Sequence, residues 1–331
     1  MKIKHLLIVN LILILLILGN YWSKNSDKKY IFNRNYSPKS IKVIASKKIN
    51  IENNLYYTAP SEFIALYKRT IEQKNPVLKG KLLGINPQFK EEDIFTYPIH
   101  PDLNPIILFL SKDYCLYTDK WRLYLNNTPI AENMRVINAI RYNENEIVLL
   151  GESSTGNLGT FGFFILDLKK QQVREVYSLH TDKISNFPKH FLQYEGNFKI
   201  LNSKVVYINK KSSNGWIIDN EKILEFHTKD NTPLPSVIKY NENYFYERGK
   251  TFNANANFYL TKNFICVFSS RIKNKNEIVI DFYNYQGKYL NSKKVEIKDQ
   301  EAQNIINVFN SNEKVCIAFI NKLVLIEQND S

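Results

Sequence analysis

One phrase recurs through the last two thirds of the chain: three apolar residues, an acid, a polar turn and a second strand-like run. It is spelled Phe164-Ile165-Leu166-Asp167, Trp216-Ile217-Ile218-Asp219, Ile278-Val279-Ile280-Asp281 and, more loosely, Leu323-Val324-Leu325-Ile326-Glu327. The acids stand 52, 62 and 46 residues apart. That period suits one blade of a β-propeller and is too long for most helical-pair solenoids, so the chain is constrained to a modular, sheet-based architecture.

Strands can be placed unit by unit against this phrase. The plainest unit has runs at 147–150, 161–168 and 173–177, with a Lys169-Lys170-Gln171-Gln172 turn. Two more follow at 205–208, 216–218 and 223–226, and at 264–268, 278–283 and 289–297. Blurred units precede them at 55–58, 63–67 and 77–83, and at 106–110, 114–117 and 121–125, the last with an Asn126-Asn127 turn. The final unit, 315–320 and 322–327, lacks an outer strand, which residues 41–45 can supply, closing a ring and removing exposed sheet edges. Runs such as Ile147-Val148-Leu149-Leu150 read as inner strands, apolar throughout because neighbouring blades cover both faces. Residues 89–94 and 299–308 are expected to form one or two helical turns each, and the rest alternates strand and loop. The expected fold is all-β: a six-bladed β-propeller over 39–331, ahead of seven blades and then a β-sandwich, preceded by one N-terminal apolar helix.

The repeated apolar-apolar-apolar-Asp phrase, with an apolar strand before it and a turn and strand after it, resembles the TolB-like and NHL-like six-bladed propellers of exported bacterial type. The resemblance covers 39–331. It implies a scaffold or a binding module, and in some members an enzyme, because the fold carries no chemistry of its own.

Lys2 and Lys4 precede an apolar run from Leu6 to Leu18 broken only by Asn10. With its flanks, residues 1–22 read first as an uncleaved signal anchor and second as a cleaved signal peptide. Residues 23–38 read as a polar tether. Lysines after the helix outnumber those before it, which argues for a cytoplasmic body, whereas a short leader at the extreme N-terminus argues for export. Export is the preferred reading: a body in the cell envelope, held to the inner membrane by this helix, or secreted if the leader is cut.

The formal charge of +13 does not mark a nucleic-acid binder. Ten basic side chains and one acid within residues 1–50 leave only +4 for the other 281, so no basic groove is expected in the body. Cys115, Cys266 and Cys316 form no metal spacing, and Cys266 and Cys316 occupy matching places in apolar runs, as small buried hydrophobes.

Chemistry is sparse. Asp167, Asp219 and Asp281 are expected to bond turn amides rather than to gather a cation. The glycine-rich stretch 151–162 lies between two strands and reads as a long hairpin in which Gly156 and Gly159 take positive φ. His100, in Pro98-Ile99-His100-Pro101-Asp102, reads as part of a rigid connector. No nucleophile elbow, zinc signature or cofactor motif is present, so no catalytic residue, metal or cofactor is expected. Arg135, Arg141, Arg248 and Arg271 fall at strand ends or between blades, where a guanidinium can grip a carboxylate at the channel mouth. With His190 they form the candidate site for a protein or small-molecule ligand on one face of the ring.

Overall fold

The computed structural model describes residues 33–49, 56–58, 63–72, 75–84, 87–88, 91–98, 106–110, 115–155, 158–183, 186–219, 222–272, 275–311 and 314–328. The apolar leader, most of the tether and His100 lie outside these residues. Among the described residues, no helix is long and apolar enough to cross a membrane.

Strand β1 (Val43–Lys48) comes first in the chain and belongs to the last sheet. The first sheet holds β2 (Tyr56–Thr58), β3 (Phe63–Glu72), β4 (Asn75–Gly84) and β5 (Glu91–Pro98). The second holds β6 (Ile106–Leu110), β7 (Cys115–Asp119), β8 (Arg122–Leu125) and β9 (Thr128–Glu132). The third is built from β10 (Met134–Arg141), β11 (Glu146–Thr155), β12 (Leu158–Asp167) and β13 (Gln172–Lys183). A short helix, α1 (Phe187–Gln193), leads to the fourth: β14 (Gly196–Leu201), β15 (Lys204–Asn209), β16 (Asn214–Asp219) and β17 (Lys222–His227). A two-stranded hairpin, β18 (Val237–Tyr240) and β19 (Asn243–Tyr246), precedes the fifth sheet of β20 (Asn255–Leu260), β21 (Ile265–Ser269), β22 (Glu277–Tyr283) and β23 (Tyr289–Glu296). The sixth has β24 (Ile305–Ser311), β25 (Lys314–Phe319) and β26 (Lys322–Glu327), completed by β1 pairing antiparallel to β26. Successive four-stranded antiparallel meanders, the last closed by the first strand of the chain, are the pattern of a β-propeller rather than of two packed sheets.

Side-chain packing shows how the sheets stack. In β11, Ile147 and Leu149 face a core shared with the second sheet, while Val148 and Leu150 face one shared with the fourth. In β15, Val205 and Tyr207 turn toward the third sheet, and Val206 and Ile208 toward the fifth. In β21, Ile265 and Val267 point one way and Cys266 and Phe268 the other. All twelve residues are buried, so a strand with period-two alternation is apolar on both faces. Each fully covered Val, Ile or Leu stabilises the stack by roughly 1.5–3 kcal/mol.

The continuous apolar runs are therefore second strands, one place further out than the sequence suggests. The first strands β6, β10, β14, β20 and β24 touch one another in succession and border the axis. They carry polar residues among the apolar ones, such as Asn138, Lys199, Asn257 and Asn307. Lys199 of β14 demonstrates the arrangement: its amine bonds Asn307 Oδ1 at 3.2 Å and the carbonyl of Val308, both on β24, two sheets away. Such a contact is possible only across a shared centre.

Other expectations are corrected locally. Residues 91–98 are strand, and 299–308 contain only a 3₁₀ turn at Ala302–Asn304 before β24 begins. Helix α1 lies in a region read as loop and strand; Pro188 in its first turn favours it, but seven residues are too few to register a helical period. Gly159 sits within β12 and not in a positive-φ loop, and Gly156 lies outside the described residues. The Asn126-Asn127 turn forms as expected, with both residues at positive φ, the two-residue hairpin geometry that asparagine tolerates.

One of the three acids departs from the turn role expected of it. Asp167 accepts the Lys169 and Lys170 amides at 2.9 and 3.0 Å, as a turn acid should. Asp219 pairs with Lys204 at 3.3 Å. Asp281 is not at a turn: β22 runs on to Tyr283, and the carboxylate is buried against Arg34 at 2.9 Å. Arg34 also reaches Asp230 at 2.6 Å and Ser269 Oγ at 3.0 Å. Around it, Ser37 N donates to Ser292 O at 2.9 Å and Ile41 N to Lys294 O at 2.8 Å, so from Arg34 onward the chain is docked along the outer strand of the fifth sheet.

Candidate functional site

Four residues stand in one row across the third sheet: Arg135 on β10 opposite Glu152 on β11, Glu152 opposite Phe161 on β12, and Phe161 opposite His180 on β13. Directly opposed residues share a face and lie within reach of one another. The row sits at the end of the sheet where β10 begins, here termed the leading rim.

Helix α1 lies over this row. Phe187 and His190, three residues apart, project from the same side of it. The Arg135 guanidinium carbon lies over the Trp121 ring at 3.7 Å and over the Phe187 ring at 5.2 Å from the centroids, and the two rings are themselves 6.5 Å apart. His190 stacks on Phe161 at 5.0 Å and on His180 at 4.9 Å. Its Nε2 lies 3.0 Å from Asp182 Oδ1, and His180 Nε2 lies 2.7 Å from Tyr194 Oη.

With Asp182 as acceptor, His190 Nε2 carries the proton and Nδ1 is left as an acceptor. That Nδ1 is buried without a hydrogen-bond partner. Glu152, 1% exposed, likewise has an unpartnered Oε2. Burial pushes its carboxyl up to about 7, against the pull of Arg135 and with the help of Asp182. Gly159 makes room for this acid: a Cβ there would stand 2.5 Å from Glu152 Oε1. Burial lowers His180 from its ordinary value, and the neighbouring His190 lowers it further. Burial also lowers Arg135, opposed by Glu152. No hydrogen bond or ion pair joins the Arg135 guanidinium to a described residue. The result is a cation packed on two aromatic rings and joined to no described acid by an ion pair, beside a carboxyl and an imidazole that each keep one buried atom unsatisfied.

Of the five candidate residues, Arg135 and His190 meet here through α1. Arg141 is at the opposite end of β10, bonding Asn143 O at 3.1 Å in its own hairpin. Arg248 is exposed in the loop after β19. Arg271 is buried over Phe252, with 4.5 Å from guanidinium to ring centroid, and takes no part in the row. Sequence reasoning missed Glu152, Asp182, His180, Trp121 and Phe187. The one available signal was Glu152, an acid continuing an otherwise apolar strand. Among the described residues no group of three or more His, Cys, Asp or Glu is placed to hold a metal ion.

No protein-family model matches the sequence, and no curated protein matches it either. Solved structures are similar at the level of shape. A WD40 domain of Toxoplasma gondii coronin superposes with a TM-score of 0.41 at 10% identity, covering 89% of this chain and 88% of that one. The β-propeller domain of the trilobed protease from Pyrococcus furiosus, described as having an open velcro topology, gives 0.36 at 10% identity over 85% and 95%. A subtype N10 neuraminidase-like protein from bat influenza A gives 0.39 at 9% identity over 88% and 100%. At these scores the fold is argued from the sheets above.

Proposed function

We propose that the chain is a six-bladed β-propeller of the cell envelope, tethered by its apolar leader, that binds a small carboxylate-bearing ligand on its leading rim. The six four-stranded sheets and the axial reach of Lys199 support the blade count. The Leu6–Leu18 run behind Lys2 and Lys4 supports the tether.

The Arg135 guanidinium, joined to no described acid, carries the binding reading. A guanidinium packed on Trp121 and Phe187, two rings that also touch each other at 6.5 Å, has little rotamer freedom left to lose when it offers N–H donors to a planar anion. Titrating the protein with acetate, succinate and citrate, followed by arginine ¹⁵Nε resonances and calorimetry, tests this. One of the three shifts the Arg135 resonance saturably, and Arg135→Gln abolishes the heat; no shift with any of them defeats the reading. Fractionation with protease accessibility tests the tether separately, and a body shielded in the cytoplasm would refute that half.

Acid-base catalysis at the same rim is a second reading. It is favoured by a Glu152 carboxyl near neutrality beside an imidazole oriented by Asp182. Consumption of a bound carboxylate, lost in Glu152→Gln, separates the two.

A further inference from the structure

We infer that the hairpin of β18 and β19 docks on an anionic lipid surface and seats the leading rim against a membrane. One face of the hairpin is covered by α1: Tyr246 Oη donates to Leu192 O at 2.9 Å, and Tyr244 Oη to Asn186 Oδ1 at 3.2 Å. Side chains alternate across a strand, so Ile238, Tyr240 and Phe245 project from the other face, with Ile238 and Phe245 directly opposed. They are 47%, 68% and 49% exposed. Exposed apolar residues scattered singly are ordinary, but three on one face of two four-residue strands form a patch. Helix α1 brings Phe191, also exposed, to the same rim, because it runs from the end of β13 to the start of β14 as the hairpin segment runs from the end of β17 to the start of β20.

Shape, charge and chain length choose lipid as the occupant. Residues 240–243 are all exposed, so the tip stands out from the body, and Asn241 and Glu242 at positive φ make it a tight two-residue turn. A deformable interface receives such a tip without a matching cavity, and tyrosine, phenylalanine and isoleucine are side chains that settle at the headgroup boundary. Lys189, Lys239, Arg248 and Lys250 accompany them against Glu242 and Glu247. Those two acids pair with Lys239 and Lys250 at 2.9 and 2.6 Å, so the patch is net positive and suits anionic headgroups. The membrane is within range on the tether reading proposed above, on which this argument rests. Arg34 bonds Asp230, seven residues ahead of β18, and the eleven residues between Trp22 and Arg34 span at most about 40 Å.

The test uses the full chain in vesicles of phosphatidylcholine, with and without one quarter phosphatidylglycerol, at a low protein-to-lipid ratio. A nitroxide is attached at Asn243→Cys on the uncovered face; the native Cys115, Cys266 and Cys316 are buried and stay unlabelled. With phosphatidylglycerol present, the label at 243 is expected to collide more with oxygen than with a nickel chelate, while a label at Lys170→Cys on the opposite rim stays aqueous. Adding Ile238→Asp and Phe245→Asp returns the 243 label to water. An aqueous 243 label in the protein without those two changes overturns the inference, whether or not the double variant folds. Spin–spin broadening at 243 without lipid contact also overturns it, by making a second copy of the chain the occupant. Quenching of Trp22 by brominated lipid, taken as the difference from Trp22→Phe, reads the tether separately. A quenched Trp22 with an aqueous 243 label defeats the docking and keeps the tether; an unquenched Trp22 with a lipid-facing label does the reverse.

Discussion

Lys199 Nζ and Asn307 Oδ1 are 3.2 Å apart although a whole four-stranded sheet lies between their strands in the chain. A lysine side chain spans only about 6 Å, so the first strands of the fourth and sixth sheets approach to within one side chain of each other. Polar side chains of the fourth and sixth sheets thus meet at the centre of the ring, and its electrostatics depend on the charge of Lys199.

The first prediction concerns that charge. Lys199 is lowered from 10.5 to about 7 by burial, so the unfolded chain binds more protons than the folded one between those values. Stability conferred on the fold therefore rises as pH increases from about 7 toward 10.5, and the full penalty applies below 7. Lys199→Met removes this slope and stabilises the protein by roughly 2 kcal/mol at pH 6, after discounting for access along the axis. Urea midpoints of both proteins at pH 6 and 9 check it; parallel curves contradict it.

Glu152 gives the opposite slope. Its carboxyl is raised from 4.5 to about 7, so the folded state binds more protons in that window and stability falls as pH rises through it. Glu152→Gln, which cannot ionise, is expected to gain about 2 kcal/mol over wild type at pH 8 and little at pH 4. Chemical denaturation at the two values measures the difference, and a gap that does not widen with pH disproves the assignment.

Arg34 joins two acids that are themselves buried, with side chains 3% exposed. Burial alone would disfavour its charge, but Asp281 and Asp230 outweigh that and push its pKa up. Arg34→Met strands both carboxylates and is expected to cost about 3–5 kcal/mol. It also frees residues 34–41 from the fifth sheet, which limited proteolysis detects as new cleavage ahead of β1. Retained protection would show that the backbone bonds of Ser37 and Ile41 suffice alone.

What could be read from the residues depended on how many sides of a strand are covered. Ile147–Leu150 and Ile278–Ile280 are packed between two sheets, so their sequence is apolar without a break and their hairpins stand out. The strand at 41–45 was legible because the last unit lacked an edge partner, and β1 pairs there, starting two residues later and ending three residues later than read. The first strands β2 and β6 were placed, at 55–58 and 106–110, but β10, β14, β20 and β24 were missed, Lys199 and Asn257 interrupting the apolar pattern in two of them. Their recurrent phrase was nonetheless present: Ile137-Asn138-Ala139, Ala256-Asn257-Phe258 and Ile306-Asn307-Val308, an asparagine after each register shift. The rim site was half legible. Arg135 and His190 could be chosen by position, but their meeting depends on α1, whose seven residues carry no period, and on register between β10 and β13.

The grip of Arg34 also decides how the molecule bears mechanical load. A pull on the chain ahead of residue 34 reaches Arg34 before it reaches β1, and it is taken up by two carboxylates and a run of backbone bonds along the fifth sheet. The strand that seals the sixth sheet is thereby shielded from peeling, and a tugged molecule keeps its hoop intact until that buried anchor gives way.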